Sequence, residues 1–254
     1  MSLRTAAIKL RNLTLGYDKH PAVHHVTLTI EPGALVAIVG PNGAGKSTLI
    51  KALAGQLRPL QGSLDGLRGQ RIAYLPQQSA MDRSFPVSVQ DMVAMGLWHE
   101  VGALGRFSTA QLQRCREALA QVGLAGFEKR ALDTLSGGQF QRALFARLLL
   151  LDAPVVLLDE PFAAVDARTT ADLVALLHRW HDAGKTVIAV LHDLPQVREH
   201  FLQTMMIARE LVAWGNTAEV LSDANWQRAQ AMHEAFDELA PVCRDDEAIP
   251  EDWR

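Results

Sequence analysis

The sequence lacks several features that would have settled its class at once. It holds only two cysteines, Cys115 and Cys243, far apart and without Cys-x-x-Cys or Cys/His metal spacing. That pattern argues against a disulfide framework or a zinc ribbon and fits a reducing compartment. There is no basic excess: 25 Lys and Arg stand against 28 Asp and Glu, for a formal net charge of -3. A general electrostatic drive toward nucleic acid is therefore missing. Long apolar runs are also missing. The most apolar stretch, 148–158, is interrupted by Asp152 and Pro154, and it falls short of the roughly 20 residues of a membrane span. Met1-Ser2-Leu3-Arg4 leads into no apolar signal core. The expectation is a soluble, cytoplasmic protein that reaches a membrane only through a partner. What remains is globular: 254 residues, 48% hydrophobic and 21% charged, enough for one large domain or two small ones.

Hydrophobic periodicity orders the chain. Ile8, Leu10, Leu13 and Leu15, then Val26, Leu28 and Ile30, alternate as short antiparallel strands around a turn at 18–21. The continuous apolar runs 35–39, 155–158 and 186–191 read as strands buried on both faces. A shorter strand is expected at 71–75, and a closing hairpin at 205–208 and 211–213. Helical spacing follows at 47–57, 89–97, 109–122 (with Ser108 as cap), 140–151 and 169–183. Strand, helix and strand over 155–191 make a βαβ unit. Residues 81–87 look loop-like, and 225 onward reads as a helix followed by an acidic tail at 245–252.

Three motifs carry chemistry. Gly40-Pro41-Asn42-Gly43-Ala44-Gly45-Lys46-Ser47-Thr48 matches G-x-x-x-x-G-K-[ST] between a strand and a helix, the context in which loop amides cradle phosphates. Lys46 supplies charge to the β- and γ-phosphates, and the Ser47 hydroxyl ligates Mg²⁺. The strand at 155–158 ends in Asp159 and Glu160. Asp159 suits Mg²⁺ through a water, and Glu160 suits the general base that activates the attacking water. Alone, these would read as solvated acids at a strand end. Leu135-Ser136-Gly137-Gly138-Gln139 puts a serine and two side-chain-free residues before a helix. That is either a plain helix cap or a backbone prepared for a close anionic ligand.

Taken in order, these motifs resemble those of the ATP-binding subunits of ABC transporters, over roughly 8–221. The resemblance implies an α/β fold: a P-loop NTPase (RecA-like) core with an N-terminal antiparallel β subdomain and a helical ABC-specific subdomain at about 79–135. Residues 1–222 would form one ATPase domain and 223–254 a C-terminal helix and tail. It implies ATP and Mg²⁺ as ligands and assigns further roles: Tyr17 stacking on adenine, Gln77 sensing Mg²⁺ and the transporter partner (with Gln78 a competing register), Asp166 touching the other subunit, and His192 contacting the γ-phosphate. It also implies that 135–139 complete the ATP site of a second copy in a head-to-tail dimer. The partners would be an integral membrane permease and, indirectly, an extracytoplasmic binding protein, with no nucleic acid. The chain would then be peripheral on the inner face of the membrane. Two residues depart from the family pattern: Ala163 where a serine is common, and Phe140 where a polar residue is frequent. The first loses one hydroxyl contact across the dimer; the second is expected to alter packing near the neighbouring subunit.

The segment 84–96, Ser-Phe-Pro-Val-Ser-Val-Gln-Asp-Met-Val-Ala-Met-Gly, and the run around Phe162, Ala163, Ala164, Val165 and Asp166 are similar to the zinc and manganese uptake branch, zinc in particular. Importers of manganese, iron chelates and cobalamin are the alternatives. An ABC ATPase of translation or DNA repair would usually carry two cassettes or a long coiled-coil insertion. A nucleotide sensor that only binds would lack the base that Glu160 supplies. His20, His24 and His25 read as surface histidines near a hairpin, since no cysteine or acid completes a tetrahedral set; His233 and Cys243 are read as equally bland.

Overall fold

The computed structural model describes residues 6–18, 20–77, 86–102, 105–163 and 165–234. Gln78, Ser84, Phe85, Ala164, Cys243 and the acidic tail lie outside the described residues, and so does most of the expected loop at 81–87.

Alternation builds the first sheet. Strands β1 (Ile8–Tyr17) and β2 (His20–Ile30) pair antiparallel, with Ile8 opposite Ile30 and Leu10 opposite Leu28. The turn is tighter than 18–21, because β2 already starts at His20. A third strand, β4 (Gln61–Asp65), pairs with the other edge of β1. It was not expected, because Gln-Gly-Ser-Leu-Asp carries one large apolar residue. Gly62 explains the fit: at φ +77°, a Cβ there would sit 2.2 Å from the Asn12 carbonyl oxygen.

The second sheet has the order β5-β6-β7-β3-β8-β9. It comprises β3 (Leu35–Val39), β5 (Ile72–Leu75), β6 (Val155–Asp159), β7 (Thr186–Val190), β8 (Gln203–Ala208) and β9 (Glu210–Asn216). Its pairings are parallel except that β8 and β9 form the closing hairpin. Every residue of β3, β6 and β7 is buried, as continuous apolar strands covered on both sides require. Alternate residues serve two cores. Val36 and Ile38 pack with the antiparallel sheet and helix α1 (Lys46–Leu53), whereas Leu35, Ala37 and Val39 face the cluster that holds the remaining helices.

Helix α1 stops at Leu53, earlier than the expected 57. Gly55 takes a left-handed conformation, and the amides of Gly55 and Gln56 turn back onto the carbonyls of Ala52 and Lys51, a glycine C-cap. Helix α2 (Val89–Ala94) and a 3-10 turn at Met95–Leu97 cover the expected 89–97. Then come α3 (Trp98–Val101) and α4 (Thr109–Gln121), which Ser108 caps reciprocally with Gln111. Helix α5 (Gly137–Leu151) packs against α2 and α4. Helix α6 (Ala167–Asp182) bridges β6 and β7, and α7 (Leu194–His200), α8 (Thr217–Val220) and α9 (Asp223–Glu234) follow. The short α7 and α8 escaped the sequence pattern because neither spans two full turns.

Phe145 anchors α5 to α6: it is fully buried, and its ring stacks on Trp180 at 5.7 Å between centroids. Phe145→Ala should cost about 3–5 kcal/mol, read as a lowered midpoint in urea unfolding.

Candidate active site

The phosphate loop follows β3. Gly40, Gly43 and Gly45 all have positive φ, and a Cβ on Gly40 would lie 1.9 Å from the Ile207 carbonyl oxygen. No other residue type fits that approach. Helix α1 begins at Gly45 without a side-chain cap and without an acid in its first turn. By contrast, α2, α4 and α5 are capped by Ser88, Ser108 and Ser136, and α6 by Asp166. The first amides of α1 thus stay available to an anion, with the helix dipole favouring negative charge. Lys46 is 6% exposed, and its ammonium donates to the carbonyls of Gly40 at 2.9 Å and Pro41 at 2.7 Å. Burial pulls its pKa below the usual lysine value, and the nearby Glu160 and Asp159 charges oppose that.

Two acids end β6. Asp159 is 2% exposed, and Ser47 Oγ donates to its Oδ1 at 3.3 Å. Burial pushes the Asp159 carboxyl above its usual range, while the Ser47 hydrogen bond acts against this. A divalent cation beside it would favour the ionised form. The donors at hand, the Ser47 hydroxyl, the Gln77 amide oxygen and the Asp159 carboxylate, are hard oxygens of the kind such a cation takes.

Glu160 is the centre of the geometry. Its Oε2 accepts from Gln77 Nε2 at 2.9 Å, and its Oε1 lies 2.7 Å from His192 Nε2. The backbone at Glu160 has φ 51°, and its amide donates to the Val190 carbonyl. Gln77, Asp159, Glu160, His192, Lys46 and Ser47 are therefore brought to one end of the parallel sheet.

The 135–139 stretch lies elsewhere. Ser136 caps α5 by accepting from the Gln139 amide at 3.2 Å, and the Gln139 side chain accepts from the Ser136 amide at 3.0 Å. The plain capping role is thus filled within the chain. Leu135 is buried, and Gly137 and Gly138 are the first helical residues. A Cβ on Gly138 would meet Asp166 Oδ2 at 3.4 Å, so this stretch adjoins the Asp166 loop. Asp166 caps α6, accepting from Thr169 N at 2.9 Å and Thr169 Oγ1 at 2.8 Å, which holds its carboxyl below the usual range. Tyr17 stands at the end of β1, 47% exposed. Phe140 corrects an expectation: it is 2% exposed within the chain's own core rather than at a neighbour's surface.

Sequence reasoning missed the ties that hold these loops together. Gln141 Nε2 donates to the Pro161 carbonyl at 2.5 Å, fastening α5 to the turn after Glu160. Arg142 donates to the Val122 carbonyl, Thr169 Oγ1 and Asp172, joining α5, α6 and the end of α4. The available signal was the adjacent polar pair Gln141-Arg142 between apolar residues of the helix.

Residues 23–163 match the family model described as ABC transporter. The chain belongs to the ABC transporter family. The manganese transport system ATP-binding protein MntB of Listeria monocytogenes is 38% identical over 87% of this chain and 95% of that protein. The zinc transport system ATP-binding protein TroB of Treponema pallidum is also 38% identical, over 90% of this chain and 88% of its own length. Among solved structures, an inward-facing ABC transporter described as of the metal-chelate type superposes with a TM-score of 0.79 at 28% identity, covering 89% of both chains. A dimeric ATP-binding cassette in a post-hydrolysis state, bound to ADP and phosphate, superposes with a TM-score of 0.73 at 27% identity, over 83% of this chain and 98% of that one. Among the described residues no helix is long and apolar enough to cross a membrane.

Gly45→Ala tests the loop. At φ +90° its Cβ would lie 2.3 Å from Val23 Cγ2 and 2.7 Å from the Ala22 carbonyl oxygen. Titration with a fluorescent ATP analogue should show saturable binding by the parent protein and none by this variant.

Proposed function

We propose that this chain hydrolyses ATP with Mg²⁺ to power import of a divalent transition metal, zinc in the first instance, through a separate membrane permease. The observation that carries the chemistry is Glu160, bonded on one oxygen by Gln77 and on the other by His192. A carboxylate held from both sides is oriented before the substrate arrives, the condition for general-base catalysis. Glu160 takes a proton from the attacking water, the new oxygen–phosphorus bond forms on the γ-phosphorus, and ADP leaves. The loop amides and Lys46 hold the phosphates, and His192 contacts the γ-phosphate. Mg²⁺, when bound, would neutralise phosphate charge, held by Ser47, Gln77 and, through water, Asp159. Because Gln77 spends its amide nitrogen on Glu160, its amide oxygen is the atom left for the cation. Tyr17, exposed at its strand end, is available to stack on the adenine.

Two copies would assemble head to tail, so that Ser136, Gly137 and Gly138 of each complete the site of the other. Supporting this, the stretch opens α5 beside Asp166. Closing on ATP and opening after hydrolysis would drive the permease, since the γ-phosphate binds across the interface only when the dimer is closed. The chain would sit on the inner membrane face, with the binding protein coupled indirectly. Manganese is the second reading, favoured by the likeness to MntB.

Glu160→Gln keeps the shape and removes the base. Steady-state ATP turnover should fall by about 10²- to 10⁴-fold, while ATP-dependent dimerisation in size-exclusion chromatography persists. Full turnover would sink the assignment. For the cargo, a deletion strain should lose growth and uptake in zinc-poor medium and regain them with added zinc. Rescue by manganese alone would move the assignment to manganese.

A further inference from the structure

Tyr74 on β5 carries a polar atom that the free protein leaves unused. Its phenol oxygen is buried and has no hydrogen-bond partner. A buried, unpaired hydroxyl is unfavourable, and phenylalanine would fill the same space without that cost. Tyr74 stands opposite Leu157 across the parallel β5–β6 pair. Ile72 and Tyr74 pack into the cluster that holds Val155 and Leu157, so Tyr74 shares a sheet face with 155, 157 and 159. Asp159 lies two residues beyond Leu157, a rise of about 6.6 Å, which a tyrosine side chain spans. Burial, then the Asp159 charge, push the phenol up to about 12, so it remains a proton donor at neutral pH. Asp159 receives a long bond from Ser47, at 3.3 Å.

We propose that Tyr74 is a positioning residue for the cation site, its hydroxyl donating to the Asp159 carboxylate once Ser47 turns toward Mg²⁺ in the nucleotide complex. This inference rests on the Mg²⁺–ATP reading given above. A bond unmade in the free protein and made in the complex adds to the differential affinity that favours the bound state. Ser47 and Asp159 belong to the binding machinery; Tyr74 acts only through Asp159.

Tyr74→Phe separates the hydroxyl from the ring. The free variant should melt at the parent temperature or above it, because no folded-state hydrogen bond is lost. Binding of a fluorescent ATP analogue in EDTA should match the parent. The Mg²⁺ concentration for half-maximal enhancement of that binding should rise about threefold to tenfold. A melting temperature lowered by several degrees would reveal a folded-state partner and overturn the proposal. So would an Mg²⁺ midpoint within about twofold of the parent. If the parent itself shows no Mg²⁺-dependent binding, the Mg²⁺–ATP reading fails, and this role fails with it. If the parent binds and the variant matches it, only the Tyr74 role fails.

Discussion

The structure depends on one carboxylate held at a strained turn. Glu160 sits at φ 51°, a left-handed backbone that costs a non-glycine residue about 1–2 kcal/mol. Its amide bond to Val190 and its side-chain bonds to Gln77 and His192 offset that cost. Each partner comes from the end of a different strand: Gln77 follows β5, Glu160 follows β6 and His192 follows β7, and these strands are consecutive neighbours in the sheet. The next strand, β3, delivers the phosphate loop. Four adjacent parallel strands thus bring their carboxyl ends to one edge, where open α/β sheets gather their ligands. Parallel pairing makes this possible, and it needs the helical crossovers that account for most of the remaining chain.

That arrangement was legible in the sequence to an uneven degree. β3, β6 and β7 announced themselves as unbroken apolar runs, because strands covered on both faces leave no polar positions. The Ser108 cap was readable, since its reciprocal partner Gln111 lies three residues on. β4 was not, because it is fixed by a close approach of backbones at Gly62 rather than by a hydrophobic pattern. The end of α1 at Gly55 was signalled by the glycine and outvoted by apolar spacing. Phe140 shows how a rule about family composition misplaces a residue: a large apolar side chain on the fourth residue of a helix goes to the core the helix covers.

In the chemical site, residue identities were legible and their present engagements were not. Lys46 bonds two carbonyls of its own loop, so a phosphate must outcompete contacts already made. Ser136 is spent on capping α5, so its hydroxyl reaches another molecule only while serving the helix. Gln77 is bound to Glu160, which ties the strand end nearest the helical insertion to that carboxylate. Such a network transmits a change only if its members have two arrangements. Lys46, Gln77 and Ser47 each have a partner now and a different candidate partner in the nucleotide complex.

Among the described residues no group of three or more His, Cys, Asp or Glu side chains is placed to hold a metal ion. The oxygens that would meet a cation at this end of the sheet are the Ser47 hydroxyl, the Gln77 amide and the Asp159 carboxylate, hard donors of the kind Mg²⁺ takes. Zinc is more often chosen by imidazole and thiolate, and selectivity among transition metals is set by ligand type and geometry. Here His192 faces Glu160, and Cys115 is buried in the helical core. Neither is arranged to discriminate zinc from manganese. Relatives named for manganese and for zinc are equally identical to this chain, at 38%, as oxygen donors indifferent to that choice allow.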